Sequence, residues 1–406
     1  MSIIGSGHGD LPHRSHKRTL NLLMVAGFAP FPPRTGAQVR EWEQIRYLGA
    51  RHRLTLACLV GDSDREIDFQ HYLAPYCAAA YGTPFSGLKL DPELPQRLQQ
   101  FIWQSLWALL KELHAQTFDA VLFDGLMMAP YRDLFRNFSV LTEHNIESSL
   151  TELMAESETH GQWTREFEEP GKQARMLRAY EDRTWARFPL RTVVSETDRK
   201  LMSKRVSLGR TVVVENGAYL DRFVESVDES ADIMLFTGCM SYHPNIDGVL
   251  FFVDRILPRI LRHRPSARLV VAGRDPDPKI LALREQDGIE VIPNPADMYP
   301  LACRSRVSVV PIRLAGGTRI KILESMAWGL PVVSTRKGSE GLAVEDGIHL
   351  LMRDDPENFA DAVLELFRDT RLYRTLRING RRLVVMRYSW EAVFEPLHRA
   401  LLEELD

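Results

Sequence analysis

Apolar residues in this chain fall into two recurring patterns. Short unbroken apolar runs at residues 20–26, 54–60, 120–123, 140–142 and 192–195 read as strands buried on both faces. Helical stretches separate them, the clearest from Gly36 to about Gly49, where Val39, Trp42, Ile45 and Leu48 recur at helical spacing. The second half repeats the scheme. Strands are expected at 233–238, 268–273, 289–292, 307–312 and 331–335, and helices at 248–262, 278–285 and from Thr318 to Gly329. Pro258 is expected to bend or shorten the first of those helices. Strand–helix alternation on this scale predicts parallel sheets covered on both faces, the doubly wound α/β class. Such sheets bind ligands at the carboxyl ends of their strands, which here carry Gly238 and Gly273.

A length of 406 residues exceeds what one core usually supports, so two domains are expected. The division is placed at residues 19–205 and 206–386. A flexible polar tail precedes them at 1–18, and a helix at 387–406 is expected to pack back on the first domain. With 45% hydrophobic and 26% charged residues the chain reads as a soluble globular protein, and a net charge of −3 argues against nucleic acid as a partner. Cys58, Cys77, Cys239 and Cys303 are scattered without metal-ligand spacing, which fits reduced thiols in the cytoplasm. No apolar run is long enough to span a bilayer. Residues 98–113 carry a broad apolar face with Trp103 and Trp107. That face reads first as core, and alternatively as a peripheral contact with the inner face of a membrane.

The most informative stretch is 315–324. Gly316 and Gly317 stand at a strand-to-helix turn, Thr318 is a candidate N-cap, and Arg319 and Lys321 open the helix. Two cations are the wrong sign for a helix N-terminus, and a bound diphosphate would remove the conflict. Lys321 and Glu324, three residues apart, also fit a plain surface ion pair. Asp275-Pro276-Asp277 has the form of a metal-binding DxD but reads as a turn, so no metal is expected.

Residues 316–333, with 214–217, 220–223, 271–274 and 31–36, resemble the retaining nucleotide-sugar glycosyltransferases of the GT-B architecture, specifically glycosyltransferase family 4. The resemblance covers residues 20 to about 402. It implies two Rossmann-like doubly wound domains facing across a cleft. It also implies a UDP-, GDP- or dTDP-linked sugar as donor, a hydroxyl acceptor, no cofactor, and a role in bacterial polysaccharide or glycoconjugate synthesis. Glu324 matches the second glutamate of the family's E-x7-E motif, which takes the ribose hydroxyls; a carboxylate suits vicinal hydroxyls because it only accepts. The first glutamate's position is occupied by Gly316. The family's Arg and Lys after the 233–238 strand are also missing, so Arg319 and Lys321 are expected to neutralise the diphosphate, aided by the amides of Gly316, Gly317 and Thr318. His144 matches a histidine that faces the donor sugar. Gly36, Gly238, Gly273 and Arg274 complete the expected donor site. Front-face substitution, the course usually described for retaining members, leans on cations at the leaving group. Two rivals stand beside this reading: a tailoring transferase acting on a soluble natural product or peptide, and a non-catalytic nucleotide-sugar or partner-binding protein.

Overall fold

The computed structural model describes residues 18–33, 35–61, 69–89, 91, 94–156, 170–224 and 232–406. Two parallel sheets organise them. The first holds β1 (Asn21–Ala26), β2 (Arg53–Val60), β3 (Ala79–Pro84), β4 (Ala120–Asp124), β5 (Phe138–Thr142), β6 (Leu190–Val193) and β7 (Arg210–Val213), in the order β3-β2-β1-β4-β5-β6-β7. The second holds β8 (Ile233–Cys239), β9 (Arg268–Arg274), β10 (Ile289–Pro293), β11 (Val307–Val310), β12 (Val332–Ser334) and β13 (Leu351–Met352), in the order β10-β9-β8-β11-β12-β13. Central strands such as β1 and β4 are apolar and buried on both faces from Leu22 to Ala26 and from Ala120 to Phe123, as parallel strands under helices must be. Both sheets are doubly wound, and their strand order reverses at β1/β4 and at β8/β11.

Four of the helices are α1 (Gly36–Gly49), α2 (Gln104–Leu113), α3 (Ile320–Trp328) and α4 (Trp390–Leu405). A reciprocal cap starts α1. The Thr35 hydroxyl accepts from the Gln38 amide at 3.1 Å, and the Gln38 side chain accepts from the Thr35 amide at 3.1 Å. Helix α2 turns Leu106, Leu110 and Leu113 into the core of the first domain, and its tryptophans are half-buried against the same cluster. Leu106, Leu110 and Leu113 are therefore core. Among the described residues no helix is long and apolar enough to cross a membrane.

The expected division at 205/206 falls one strand short. Strand β7 pairs with β6, from Leu190↔Arg210 to Val193↔Val213, so the first sheet ends at Val213. The chain then crosses through 214–224, pinned between α1 and α4. Ala218 donates to the Tyr388 carbonyl at 2.8 Å, and a Cβ on Gly217 would lie 2.7 Å from the Trp390 ring. Helix α4 packs on α1, with Tyr47 and Phe394 rings 5.6 Å apart and the Tyr47 hydroxyl donating to Glu395 at 2.8 Å. The tail expected at 1–18 lies, apart from Arg18, outside the described residues, as does Arg34 of the 31–36 loop.

Three local differences have physical causes. Strands β3, β7 and β13 lack a continuous buried apolar run, β3 and β7 being half-exposed edge strands, so the pattern did not disclose them. The run expected at 192–195 is a strand only to Val193, because Ser195 caps the next helix by accepting from the Asp198 amide. The helix expected from 248 begins at His243, passes through a π-helical turn at Phe252–Ile256 and resumes at Leu257, where Pro258 lacks the N–H that an unbroken α-helix would need.

Candidate active site

The two strand-order reversals face one another. On the first-domain side stand the loop after β1, the start of α1, Asp124 at the end of β4 and His144 just past β5. On the other side stand Gly238 at the end of β8 and the 311–319 loop that leads into α3. Gly36 and Ile320 meet across the gap: a Cβ on Gly36 would lie 3.2 Å from Ile320 Cδ1. Gly316 packs against Asn145 and Leu150, and Gly317, with φ +61°, packs against His144 and Asn145. The glycine pair lets the domains close on each other, a use that sequence alone did not suggest.

Lys321 is not in a surface ion pair. Its ammonium donates to Asn245 Oδ1 at 2.7 Å and lies 4.2 Å from the Phe236 ring centre. A Cβ on Gly238 would come within 2.9 Å of Nζ. Glycine at the end of β8 therefore leaves the space the ammonium occupies. Burial, with Arg319 adding repulsion and Glu324 opposing it, pulls Lys321 down to about 7. Glu324, one turn further along α3, is raised by burial and pulled back by Lys321. Arg274 reaches the same strand end, with Nη2 3.9 Å from Cys239 Sγ. Gly273 packs so closely on Gly238 that an added Cβ would stand 1.7 Å from the Gly238 carbonyl oxygen, so strand packing by itself requires glycine there.

Arg319 does different work from the diphosphate contact expected of it. Its Nε donates to the Gly338 carbonyl at 2.7 Å, Nη1 to the Gly316 carbonyl at 3.3 Å, and Nη2 to the Glu340 carbonyl. The guanidinium is buried and ties the glycine turn to the 338–340 loop. Burial brings it down to about 10, and it stays charged at neutral pH. Thr318 is not the N-cap either. Arg319 occupies that position without a side-chain cap bond, and the Thr318 hydroxyl accepts from Asn216 Nδ2 at 2.7 Å. Glu340 pairs with Lys337 at 2.6 Å. Asp277 of the DxD-like loop caps the next helix through the Lys279 amide.

On the first-domain side His144 Nε2 and Asp124 Oδ2 are 2.9 Å apart. Glu41, on α1, joins them; one ligand atom from each of the three residues falls within 4.8 Å of the other two. The neighbouring Arg40 is fully buried and clamps the crossover, donating to the Val214 and Glu215 carbonyls at 2.7 and 2.6 Å and to Asn216 Oδ1 at 3.1 Å. Burial lowers Arg40 to about 10, with Asp124 opposing. Sequence reasoning missed Arg40, Glu41, Asp124, Asn145, Asn216 and Asn245. One signal was present: a carboxylate ending an apolar strand of an open α/β sheet stands where such folds place ligands.

The fold is that of the GT-B glycosyltransferases. Within it, residues 231–369 match the family model described as Glycosyl transferases group 1. Among solved structures, sucrose-phosphate synthase from Thermosynechococcus elongatus superposes with a TM-score of 0.72 at 16% identity, covering 95% of this chain and 100% of that one. Anabaena HepE in complex with UDP superposes with a TM-score of 0.65 at 14% identity over 95% and 100%. In sequence, the chain is 27% identical over 222 residues to the GDP-mannose:cellobiosyl-diphosphopolyprenol alpha-mannosyltransferase of Xanthomonas campestris, 51% of this chain and 57% of that protein. The chain spans about half the length of the curated relatives it matches.

Proposed function

We propose that the protein is a retaining glycosyltransferase of family 4 that moves a sugar from a nucleotide diphosphate donor to a hydroxyl acceptor in the synthesis of a polysaccharide or other glycoconjugate. The observation that carries this reading is the placement of Lys321. A half-buried ammonium, low in proton affinity and held by Asn245 at the glycine-bearing end of β8, sits at the strand-order reversal where doubly wound sheets bind nucleotides. A diphosphate there would restore the full charge of Lys321 and be stabilised as a leaving group. Glu324, one turn along the same helix, is in reach of a ribose. His144, across the cleft, would face the sugar.

An acceptor with an apolar face fits the first-domain side. Phe28, just after β1, is half exposed, and its ring lies 6.1 Å from Phe85 and 5.7 Å from Phe101.

The test is thermal denaturation against UDP, GDP, dTDP and their sugars, followed by transfer or donor hydrolysis with the best binder. A ligand that binds only the folded state raises the melting temperature by mass action. One nucleotide sugar is expected to do so, and both Lys321→Ala and Glu324→Ala are expected to abolish the shift. If no nucleotide stabilises the protein, or if the shift survives both substitutions, the reading fails. Binding without turnover across acceptors would favour the non-catalytic rival.

A further inference from the structure

Glu41 and Asp124 present a problem of charge that the donor site does not explain. Both are almost wholly buried, and a carboxylate oxygen of each lies within 4.8 Å of the other and of a His144 ring nitrogen. Glu41 Oε2 and Asp124 Oδ1 are buried without an N–H or O–H donor among the described residues. An ionised carboxylate only accepts, so two anions this close would repel and leave both oxygens unsatisfied. One proton between them satisfies both.

The surroundings decide where that proton resides. Asp124 faces His144 Nε2 at 2.9 Å and lies in the field of Arg40, whereas among the described residues Asp124 is the charged group that acts on Glu41. Asp124 is thus the anion. We propose that Glu41 is held as a neutral carboxylic acid that donates to Asp124, and that Asp124 in turn fixes the proton of His144 on Nε2 and leaves Nδ1 as the ring's open nitrogen. Burial first, and Asp124 second, push the Glu41 carboxyl well above its ordinary range. Burial works to raise Asp124 too, but His144, the bond from Glu41 and Arg40 together hold it below its ordinary range. Arg40, His144 and the two carboxyls are the charged or titratable groups of this cluster.

Glu41 is therefore a positioning residue acting on His144 through Asp124. An open Nδ1 suits acceptance of a hydrogen bond from a sugar hydroxyl, a consequence that rests on the function proposed above. The protonation pattern itself does not.

Two measurements on the ligand-free protein at neutral pH test it. The infrared difference spectrum between wild type and Glu41→Gln is expected to show one neutral-carboxyl C=O band lost in the variant. Long-range 1H–15N spectra of histidine-labelled protein, with His144 assigned through His144→Gln, are expected to show a protonated Nε2 and a bare Nδ1. Glu41→Gln keeps a donor and is expected to preserve that pattern, while Glu41→Leu removes it and is expected to mix the tautomers. If Glu41→Leu does not fold, the Glu41→Gln comparison still decides. Absence of the neutral-carboxyl band, or a proton on Nδ1 in the wild type, overturns the proposal. Neither readout involves a donor, so failure here is separable from failure of the transferase reading.

Discussion

The carbonyl oxygen of His144 lies 2.5 Å from the point where a Cβ on Gly317 would stand. One residue belongs to the first domain and the other to the loop before α3, so this backbone approach is a direct measure of domain closure. Gly317→Ala would suffer twice, from φ +61° and from overlap with that carbonyl. Gly347 separates the two effects, because its φ is +75° and nothing lies within 4 Å of an added Cβ. The left-handed backbone alone is expected to cost Gly347→Ala about 1 kcal/mol, and Gly317→Ala is expected to lose more, up to about 3 kcal/mol. Denaturant melts of the two variants check this. Equal losses would mean that the domains are not closed in solution.

Gly316 makes a related prediction. The resemblance puts a glutamate at this position, yet an added Cβ would be 3.3 Å from Asn145 Oδ1 and 3.5 Å from Leu150 Cβ. Even a Cβ there is tight against Asn145, so a side chain at this position presses on the first domain while the cleft is closed. Gly316→Glu is expected to lower transfer activity rather than raise it, because it would hold the domains apart. Initial rates with the donor found in the melting screen measure the effect; a gain would show that the site accommodates the glutamate after all.

Much of the fold was legible because burial on both faces leaves unbroken apolar runs, as in β1, β4, β8 and β9. Edge strands β3 and β7 were not, because half-exposed strands carry no such run. At the site, the stretch 316–324 lies where the two strand-order reversals meet, but its sequence does not disclose the division of labour within it. Lys321 and Arg319 look alike in sequence; only the loop's path reveals that one guanidinium is consumed by three carbonyls. The polar face of α1 was hidden for another reason. Arg40, Glu41, Glu43 and Gln44 are polar residues between the apolar positions of this helix, yet all are buried, because it lies between the first sheet, the crossover and α4.

Lys321 also predicts a pH dependence of donor binding. Free, its ammonium titrates near 7, because burial disfavours the charged form. A bound diphosphate would favour that form and raise the value again. Below 7 the lysine is charged in both states and affinity is flat. Above 7 binding must take up a proton, so affinity is expected to fall by about tenfold per pH unit until the bound-state value is reached. Calorimetry in buffers of different ionisation enthalpy at pH about 8 reads the uptake directly. Lys321→Arg would stay charged throughout and is expected to remove the dependence. A flat profile in the wild type would place the diphosphate away from this lysine.

The last prediction concerns the contact that returns the chain's end to its beginning. His52, ahead of β2, and His398, on α4, are both buried, with Nε2 of the first 3.0 Å from Nδ1 of the second. The Leu20 amide donates to His52 Nδ1 at 3.3 Å, so that nitrogen carries no proton. The His52 proton is therefore on Nε2 and is donated to His398 Nδ1. Protonating His52 would point a second N–H at the Leu20 amide. Burial first, then His398 and Arg51, lower His52 from 6.5 to about 4, with Asp119 opposing. The unfolded chain binds this proton near 6.5 and the folded chain only near 4. The stability is thus fully present above 6.5 and is lost as pH falls through that window, because the unfolded state binds more protons there. After allowance for solvent screening the loss is on the order of 1–2 kcal/mol. Carboxyls elsewhere titrate in the same range, so the quantity to measure is the difference between wild type and His52→Gln in denaturant midpoints across that range. The wild type is expected to lose more on acidification than the variant. Parallel profiles would show that the histidine pair does not fasten α4 to the first domain in solution.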